Sequence, residues 1–286
     1  TCVPPTLSPG DPAEIFTARH GHVHARELME ERLGLDKPLY HQYGIYVGQL
    51  LRGDLGKSVR NGIPITKILM ERLPATFTLG LFALGFAIAF SIPLGVLGAV
   101  YRDSPIDWFA KVMAFLGQAM PPFWLGIMLI ILFAVIWDIV PPAGKTGWTS
   151  YILPGFTLGW GVMAGMVRLV RSSMLDVLDS DYVTMARAKG VGEIIVVSKH
   201  ALRNALIPVI TYSSLVLGAF MNGSVVVEQV FAWPGIGTVA VQSVVSRDFP
   251  IVQGVVIVFG AFFIFINLFV DILYAVIDPR IKYTGQ

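Results

Sequence analysis

Charged residues are scarce in this 286-residue chain, which has only 14% Asp, Glu, Lys and Arg against 55% hydrophobic residues. Soluble domains carry roughly a quarter charged residues, so the composition excludes an ordinary soluble domain and a disordered chain. The 21 basic and 19 acidic residues leave a net charge of +2, which is too small to indicate a nucleic-acid partner. The single cysteine, Cys2, excludes an internal disulfide, and no Cys and His spacing indicates structural zinc. The abundance of apolar residues instead predicts an integral membrane protein.

Five long stretches contain no charged residue, and each exceeds the roughly 20 residues that a helix needs to cross a bilayer. We assign spans to about 76–100, 112–137, 151–167, 205–227 and 251–277. One buried helix of a soluble protein could imitate one such stretch, but not five in succession. The predicted fold is an all-α polytopic membrane bundle, with a transmembrane domain over 75–278. The stretches are bounded by Arg72 and Arg102, Lys111 and Asp138, Lys145 and Arg168, Arg203 and Glu228, and Asp248 and Asp271.

Basic residues predict the orientation, because short cytoplasmic loops carry an excess of Lys and Arg. The short loops on one side hold two, Lys145 and Arg247, whereas the other side holds ten. The second side and a tail over 279–286 are therefore predicted to be cytoplasmic. Residues 1–74 are predicted to form an external cap, and 228–250 an external loop. The ten are Arg102, Lys111, Arg168, Arg171, Arg187, Lys189, Lys199, Arg203, Arg280 and Lys282.

The start of the sequence predicts a further span. Thr1 is followed directly by polar, proline-rich sequence, although an external N-terminus needs a translocation signal. We therefore expect one more membrane helix ahead of residue 1, which would give six spans. A cleaved signal peptide is the alternative.

Proline and glycine mark three of the predicted spans. Pro93 in the first span and Pro121-Pro122 in the second free backbone carbonyls and bend a helix, which would shape a pathway or serve packing alone. The third span contains overlapping small-xxx-small pairs, which predict a close contact with another helix. Their members are Gly155, Gly159, Gly161 and Gly165.

Residues 168–204 form the longest predicted cytoplasmic loop. A helix start is indicated at 179–181, since acidic residues favour the positive end of the helix dipole. This helix would run to Lys189, break at Gly190-Val191-Gly192 and be followed by a second helix from Glu193. Two short helices with an apolar face on a basic loop predict docking into a groove of another protein. The expected face consists of Ile194, Ile195, Val197, Ala201 and Leu202.

The external loop 228–250 is unusually apolar. We expect Pro234 to open a short helix lying in the outer membrane interface, with Trp233 as its interfacial anchor. In the last span, Asp271 lies near the cytoplasmic end. It is interpreted as a hydrated interfacial carboxylate or as a functional intramembrane acid.

Motifs for enzymatic or nucleotide chemistry are missing. Residues 56–58 and 144–146 imitate the end of a phosphate-binding loop, but Leu51 and Ile139 replace the glycine that the motif requires. No nucleophile elbow and no HExxH motif occur, so no cofactor is expected on this chain. Alternating histidines are a candidate for a transition-metal site, although an exposed polar segment also tolerates them. They are His20, His22 and His24.

The cytoplasmic loop resembles the EAA loop of permease subunits in binding-protein-dependent ABC importers. That pattern reads Glu-Ala-Ala, three residues, Gly, nine residues and Ile-x-Leu-Pro, and Ala186, Gly190 and Leu202 match it. Segments 186–190 and 200–208 resemble the first permease of the dipeptide, oligopeptide and nickel importers, as do 9–12, 53–58, 231–237 and 278–283. In that branch the Pro-Gly-Asp-Pro element of 9–12 follows a first membrane helix. Departures from the general pattern are Thr184, Met185, His200 and Arg203.

The resemblance implies a type I ABC importer permease in a bacterial inner membrane. Its implied partners are a second homologous permease, ATP-binding cassette ATPase subunits, an external substrate-binding protein and membrane lipid. ATP and Mg would be used by the ATPases, whose acidic residues would pair with Arg187 and Lys189. The loop would sit in a cleft of the ATPase. The residues implied for that contact are Ala186, Arg187, Ala188, Lys189, Gly190, Val191, Glu193, Ile194, Val197, His200, Leu202 and Arg203.

The predicted function is a non-catalytic permease subunit that forms half of a translocation path for di- or oligopeptides. An ion-coupled secondary transporter is the alternative, but it would need mid-membrane carboxylates and inverted repeats, and neither is visible. The same importer class with a nickel-chelate or haem substrate also stays open. Four polar residues within the spans would line the path or bond a neighbouring helix. They are Gln118, Asn222, Ser224 and Asn267.

Overall fold

The computed structural model describes residues 39–277, where all regular structure is helical apart from an isolated bridge between Lys57 and Pro64. The π-helix Ile130–Ile136 continues α4, a 3-10 turn at Trp148–Tyr151 precedes α5, and α7 contains the π-helical stretch Val196–Ala201. We number ten helices in that range. They are α1 (Leu39–Leu51), α2 (Ile65–Val100), α3 (Pro105–Ala119), α4 (Pro122–Leu129), α5 (Ile152–Leu178), α6 (Asp181–Ala188), α7 (Glu193–Ala205), α8 (Ile207–Val230), α9 (Ile236–Val245) and α10 (Phe249–Ile277).

Three helices are long and apolar enough to cross a bilayer in one piece, namely α2, α5 with its preceding turn, and α10. Two further candidates are bent pairs: α3 with α4 and its π-helical extension, at 105°, and α7 with α8, at 46°. Helices α2, α5, α8 and α10 and the bent pair of α3 and α4 overlap the five predicted spans, whereas α7 lies in the predicted cytoplasmic loop. The all-α membrane fold is confirmed.

The sharp bend between α3 and α4 follows from the proline pair. Met120 and Pro121 both adopt extended backbone, with ψ angles of 120° and 136°. A residue that precedes proline is disfavoured in the helical conformation, because the proline ring clashes with its backbone. Pro122 then begins α4 at a position where no N–H is needed. The predicted bend in the second span is therefore confirmed.

Three predicted boundaries differ from the structure by more than five residues. Helix α2 begins at Ile65 rather than near residue 76, α3 begins at Pro105 rather than near residue 112, and α5 continues past 167 to Leu178. Charged residues ended the predicted spans, but α5 continues because Arg171 pairs with buried Asp107 of α3. The predicted loop 168–204 therefore begins about ten residues later than expected.

Helices α2 and α5 pack closely at the centre of the bundle. A Cβ added at Gly159 of α5 would lie 2.6 Å from the carbonyl oxygen of Ala83 in α2, and one added at Gly155 would overlap the ring of Phe82. Only glycine allows the two helices to approach so closely at these points. The predicted helix contact is confirmed at both positions.

Candidate functional site

The segment 181–205, called the helical loop below, carries all twelve residues implied to contact an ATPase. Helix α6 ends at Ala188 and α7 begins at Glu193. Between them Gly190 has a φ of +79°, a left-handed conformation that costs a residue with a Cβ about 1–2 kcal/mol. An added Cβ would meet no atom within 4 Å, so the backbone angle requires glycine. The predicted pair of short helices with a glycine break is confirmed.

The inner side of the helical loop packs against the hydrophobic core. Val183, Val196 and Ala201 are buried in one cluster with Val170 and Met174 of α5. Packed interiors transmit displacement, so a movement of the helical loop would be passed to α5. Four residues of the predicted contact set are partly buried against the same cluster, namely Ala186, Val191, Val197 and Leu202.

The outer side of the helical loop exposes apolar side chains. Ile194 is 84% exposed, Met185 59% and Ile195 50%. The single apolar face expected along the second helix is therefore divided, because Val197 packs on the protein's own core while Ile194 faces outward. The π-helical stretch explains the division, since its wider turn changes which residues share a face.

Charges of the helical loop are partly paired within it. The guanidinium of Arg187 donates hydrogen bonds of 2.7 and 3.1 Å to the carboxylate of Glu193. This contact raises the pKa of Arg187 above its ordinary value. Within residues 39–277, Lys189 and Arg203 are exposed and form no ion pair, and Ala188 is exposed beside them. Arg187 thus already has an acidic partner in its own chain.

Tyr182 and Asn204 join the two helices of the loop, and no sequence signal singled them out. The side-chain amide of Asn204 donates to the hydroxyl oxygen of Tyr182 at 2.8 Å. That hydroxyl donates to the carbonyl oxygen of His200 at 3.5 Å. His200 therefore contributes its backbone to this contact, while its ring is half-buried.

A second polar centre surrounds Glu228, near the other end of α8. The Glu228 side chain is fully buried. Its carboxylate accepts hydrogen bonds from Thr76 Oγ1 at 2.7 Å, Ser224 Oγ at 3.1 Å and the backbone N–H of Thr238 at 3.0 Å. These donors belong to α2, α8 and α9, so one carboxylate joins three helices. Sequence reasoning treated Glu228 only as a loop boundary, although an acid directly after Val225-Val226-Val227 was an available signal.

The motif at 231–237 fits tightly around Glu228. A Cβ added at Gly235 would overlap the Glu228 carboxylate, and one at Gly237 would lie 2.7 Å from the Cα of Val225. Trp233 is fully buried, and its ring N–H donates to the carbonyl oxygen of Ala75 at 2.9 Å. The prediction of Trp233 as an interfacial anchor is therefore wrong, because α2 supplies the partner of its polar atom. Helix α9 also begins at Ile236, not at Pro234.

Both fragments that imitate a phosphate-binding loop have structural contacts. The hydroxyl of Ser58 donates to the carboxylate of Asp248 at 2.5 Å, which ties the turn before α2 to the start of α10. The ammonium of Lys145 lies 5.5 Å from the ring centre of Tyr151 and 5.9 Å from that of Trp233. Such distances allow cation–π attraction.

The predicted path residues have different surroundings. Gln118 is exposed and Asn267 is half-buried, whereas Ser224 is buried and donates to Glu228. Their role in a path stays a prediction. The side chains of Asn222 and Asp271, the histidines His20, His22 and His24, and the tail 279–286 lie outside the described residues.

Comparison with known proteins relates most of the chain to one family. Residues 91–283 match the family described as "Binding-protein-dependent transport system inner membrane component". The glutathione transport system permease protein GsiC of Pectobacterium atrosepticum is 44% identical over 277 residues, which cover 97% of this chain and 90% of the relative. GsiC of Escherichia coli K12 is 42% identical with the same coverage.

Solved structures share the fold at low sequence identity. An inward-facing structure of the MetNI methionine ABC transporter matches 74% of this chain and 96% of its own, with a TM-score of 0.62 and 19% identity. An amino acid ABC transporter with histidines matches 73% and 93%, with a TM-score of 0.56 and 15% identity. The sequence matches cover two thirds of the chain for the family and nearly the whole chain for the relatives. This chain therefore belongs to the family of inner membrane components of binding-protein-dependent transport systems and is a non-catalytic, multi-pass permease subunit of an ABC importer.

Proposed function

We propose that this permease forms half of a peptide translocation path and that ATPase subunits bind its helical loop and drive its conformational change. The observation that carries the proposal is the two-sided construction of that loop. Its outer side exposes Met185, Ile194 and Ile195, while its inner side is buried against α5. Exposed apolar side chains beyond the ends of the spans are typical of a protein interface.

The connections of the helical loop suit the transfer of movement. Val183 and Val196 pack on the last turns of α5, and α8 follows α7 after a bend. Arg171 of α5 binds Asp107 of α3 through two hydrogen bonds of 2.6 and 2.9 Å. A pull on the loop would thereby reach α5, α8 and, through α5, the bent pair α3 and α4.

The proposed assembly contains four further components. ATPase subunits would hold the helical loop and use ATP and Mg, with no cofactor bound by this chain. A second, homologous permease would supply the other half of the path, and an external binding protein would deliver the substrate to the side predicted to be external. Membrane lipid would surround the spans, with the C-terminus in the cytoplasm.

Peptides are the proposed substrates because relatives 42–44% identical are named as glutathione permeases. Glutathione is a tripeptide, and such a relationship across nearly the whole chain supports a substrate with a peptide backbone. Among the predicted path residues whose side chains the structure describes, Gln118 is exposed and Asn267 half-buried, so both can meet it.

The test compares substitutions in the transporter reconstituted with its ATPases and binding protein. Gly190→Pro should abolish ATP-driven peptide uptake, because proline fixes φ near −65° and lacks the N–H that Gly190 donates to Arg187. Ile194→Ser should reduce ATPase association and uptake together. Ile139→Ser, at a residue 63% exposed outside the loop, is the matched control and should transport normally.

Two results would refute the proposal. Normal ATP-coupled uptake by Gly190→Pro would show that the helical loop does not couple ATP hydrolysis to transport. A wild-type complex that takes up no peptide in the presence of ATP and its binding protein would exclude peptides as the substrates. Membrane insertion of each variant is confirmed by its co-purification with the second permease.

A further inference from the structure

A cleft of about 1020 Å³ opens between the start of α2 and helix α9, on the side predicted to be external. One wall consists of the turn before α2 and the first two turns of α2. The other wall is formed by α9 and the residue that follows it. Its lining residues are Val239, Val241, Gln242, Ser243, Val245 and Ser246.

The α2 wall of the cleft carries an excess of positive charge. Arg60, Lys67 and Arg72 line the cleft and are exposed, and none forms an ion pair with another residue in the range 39–277. Glu71 is the exposed acid beside them. Three cations against one accessible carboxylate leave the wall with a net positive charge.

The second acid at the cleft, Asp248, has its hydrogen-bond partners in the turn before α2. Asp248 is only 3% exposed and accepts hydrogen bonds from the Ser58 hydroxyl and from the backbone N–H groups of Val59 and Arg60. Neutral donors leave the charge of this carboxylate in place, so three cations face two acids and the cleft keeps a net positive charge. Asp248 forms no ion pair with any of these three cations, so the guanidinium and ammonium groups of the wall stay available for an anionic ligand.

Neutral polar groups complete the cleft. Gln229 at the end of α8 and Gln242 of α9 are exposed, and each carboxamide offers both donors and an acceptor. Ser243 is less available, since its hydroxyl donates to the carbonyl oxygen of Val239. Carboxamides opposite cations suit a ligand that has peptide groups as well as carboxylates.

We propose that this cleft is an entry site that binds short anionic peptides through their carboxylates. Arg60, Lys67 and Arg72 take the carboxylates, Glu71 takes the ammonium group, and the glutamines bind the peptide backbone. The inference rests on the proposed peptide function and deepens it. Glutathione fits the charge pattern, because at neutral pH it carries two carboxylates and one ammonium group.

The size of the cleft agrees with a small ligand. Ligand pockets in proteins have volumes of roughly 300–1,000 Å³, so the cleft lies at the upper end of this range and has room for a short peptide with its hydration water. Arginine and lysine bind carboxylates by charge-assisted hydrogen bonds, which are stronger than neutral ones. Binding should weaken as salt rises, because the cations are exposed and their field is screened over about 10 Å at 0.1 M.

The experiment measures glutathione binding to the whole transporter in lipid nanodiscs, without the binding protein. The wild type should bind glutathione, and each single substitution, Arg60→Gln, Lys67→Gln or Arg72→Gln, should raise Kd by about tenfold. The triple variant should show no saturable binding. Glutathione with both carboxylates esterified should bind wild type and variants equally weakly.

The matched control is Lys57→Gln, which removes an exposed cation of the same external segment that does not line the cleft. Its Kd for glutathione should equal that of the wild type. Unchanged glutathione binding in the triple variant would overturn the inference. So would a triple variant that keeps glutathione binding but loses affinity for the binding protein, since the cleft would then be a protein-docking surface.

Uptake measurements separate this inference from the proposed function. If the wild type transports peptide and the triple variant shows the same dependence of uptake on peptide concentration, the entry site is wrong while the function stands. If the wild type transports no peptide, the function itself fails. A selective rise in KM for anionic peptides in the triple variant, with uptake of neutral peptides unchanged, supports the entry site.

Discussion

Thr76 forms two buried hydrogen bonds beside Glu228. Its hydroxyl donates to the Glu228 carboxylate at 2.7 Å and accepts the backbone N–H of Ile236 at 2.8 Å. Both interactions are buried and connect α2 with elements more than 150 residues later in the chain. A single hydroxyl therefore donates to a buried carboxyl group and accepts the first N–H of α9.

Replacement of Thr76 by valine should be costly although the two residues have similar shapes. The substitution leaves the buried carboxylate with one donor fewer and the N–H of Ile236 without a partner, and each loss costs about 1–3 kcal/mol. We expect a clear drop in the thermal midpoint of the purified complex in detergent.

Thr211→Val is the control for that experiment. Its hydroxyl donates only to the carbonyl oxygen of Ile207, one turn earlier in α8. The change should therefore shift the midpoint little. Equal midpoints for Thr76→Val and Thr211→Val would show that the Glu228 contacts do not hold the three helices together.

At the scale of elements, one ion pair joins α3 to α5. Asp107 is fully buried, and its carboxylate binds Arg171 through two hydrogen bonds and Lys111 at 2.8 Å. The backbone N–H of Asp103 donates to the same carboxylate at 3.1 Å. This pair holds the first turn of α3 against α5 where α5 leads into the helical loop.

Arg171→Gln should loosen the contact between α3 and α5. The expected cost is about 2–3 kcal/mol, less than the about 3–5 kcal/mol of a fully enclosed pair, because Lys111 still reaches Asp107. Arg171 is also 20% exposed, which screens its charge. The measurement is the thermal midpoint of the complex, with uptake as a second readout.

A double-mutant cycle identifies the source of that cost. Asp107→Asn combined with Arg171→Gln should restore part of the stability, since no unpaired charge then stays buried. Arg187→Gln serves as the control, because the Arg187–Glu193 pair is largely exposed. Additive effects of the two substitutions at 107 and 171 would contradict the assigned pairing.

Local sequence signals were sufficient to predict the two helices of the helical loop, but not which of their side chains are buried. Gly190 and the acids near 179–181 predicted the two short helices, because turn conformation and helix dipoles act over a few residues. The partial burial of Val197 against the core was not predictable. A helical face is assigned from the number of residues per turn, and the π-helical stretch Val196–Ala201 changes that number.

Contacts distant in sequence account for the remaining misses. The burial of Trp233 depends on Ala75, which lies 158 residues earlier, and that of Glu228 on Thr76, 152 residues earlier. The partner of Arg171 in the extended part of α5, Asp107, likewise lies 64 residues earlier. No periodicity within one segment reveals such partners. The spans were therefore predictable, whereas of the polar centre around Glu228 only the acid itself was visible in the sequence.

The whole molecule is predicted to have no ATPase activity of its own. The purified chain alone should release no phosphate from ATP, because both phosphate-loop fragments lack the required glycine and are occupied by contacts of Ser58 and Lys145 within the fold. The measurement is phosphate release by the chain purified from a host without cognate ATPases. Hydrolysis that co-elutes with the pure chain would contradict its assignment as a non-catalytic subunit.

The fit of the glycines around Glu228 has a consequence for how this protein can diverge. Because the carboxylate occupies the space that a side chain at 235 would need, a substitution at 235 requires that the Glu228 side chain moves away or has been replaced first. A drift from Glu228 to a shorter residue would open room at 235, whereas a drift at 235 first would meet a steric block. Lineages that have lost this acid should therefore also have relaxed the choice of residue opposite it.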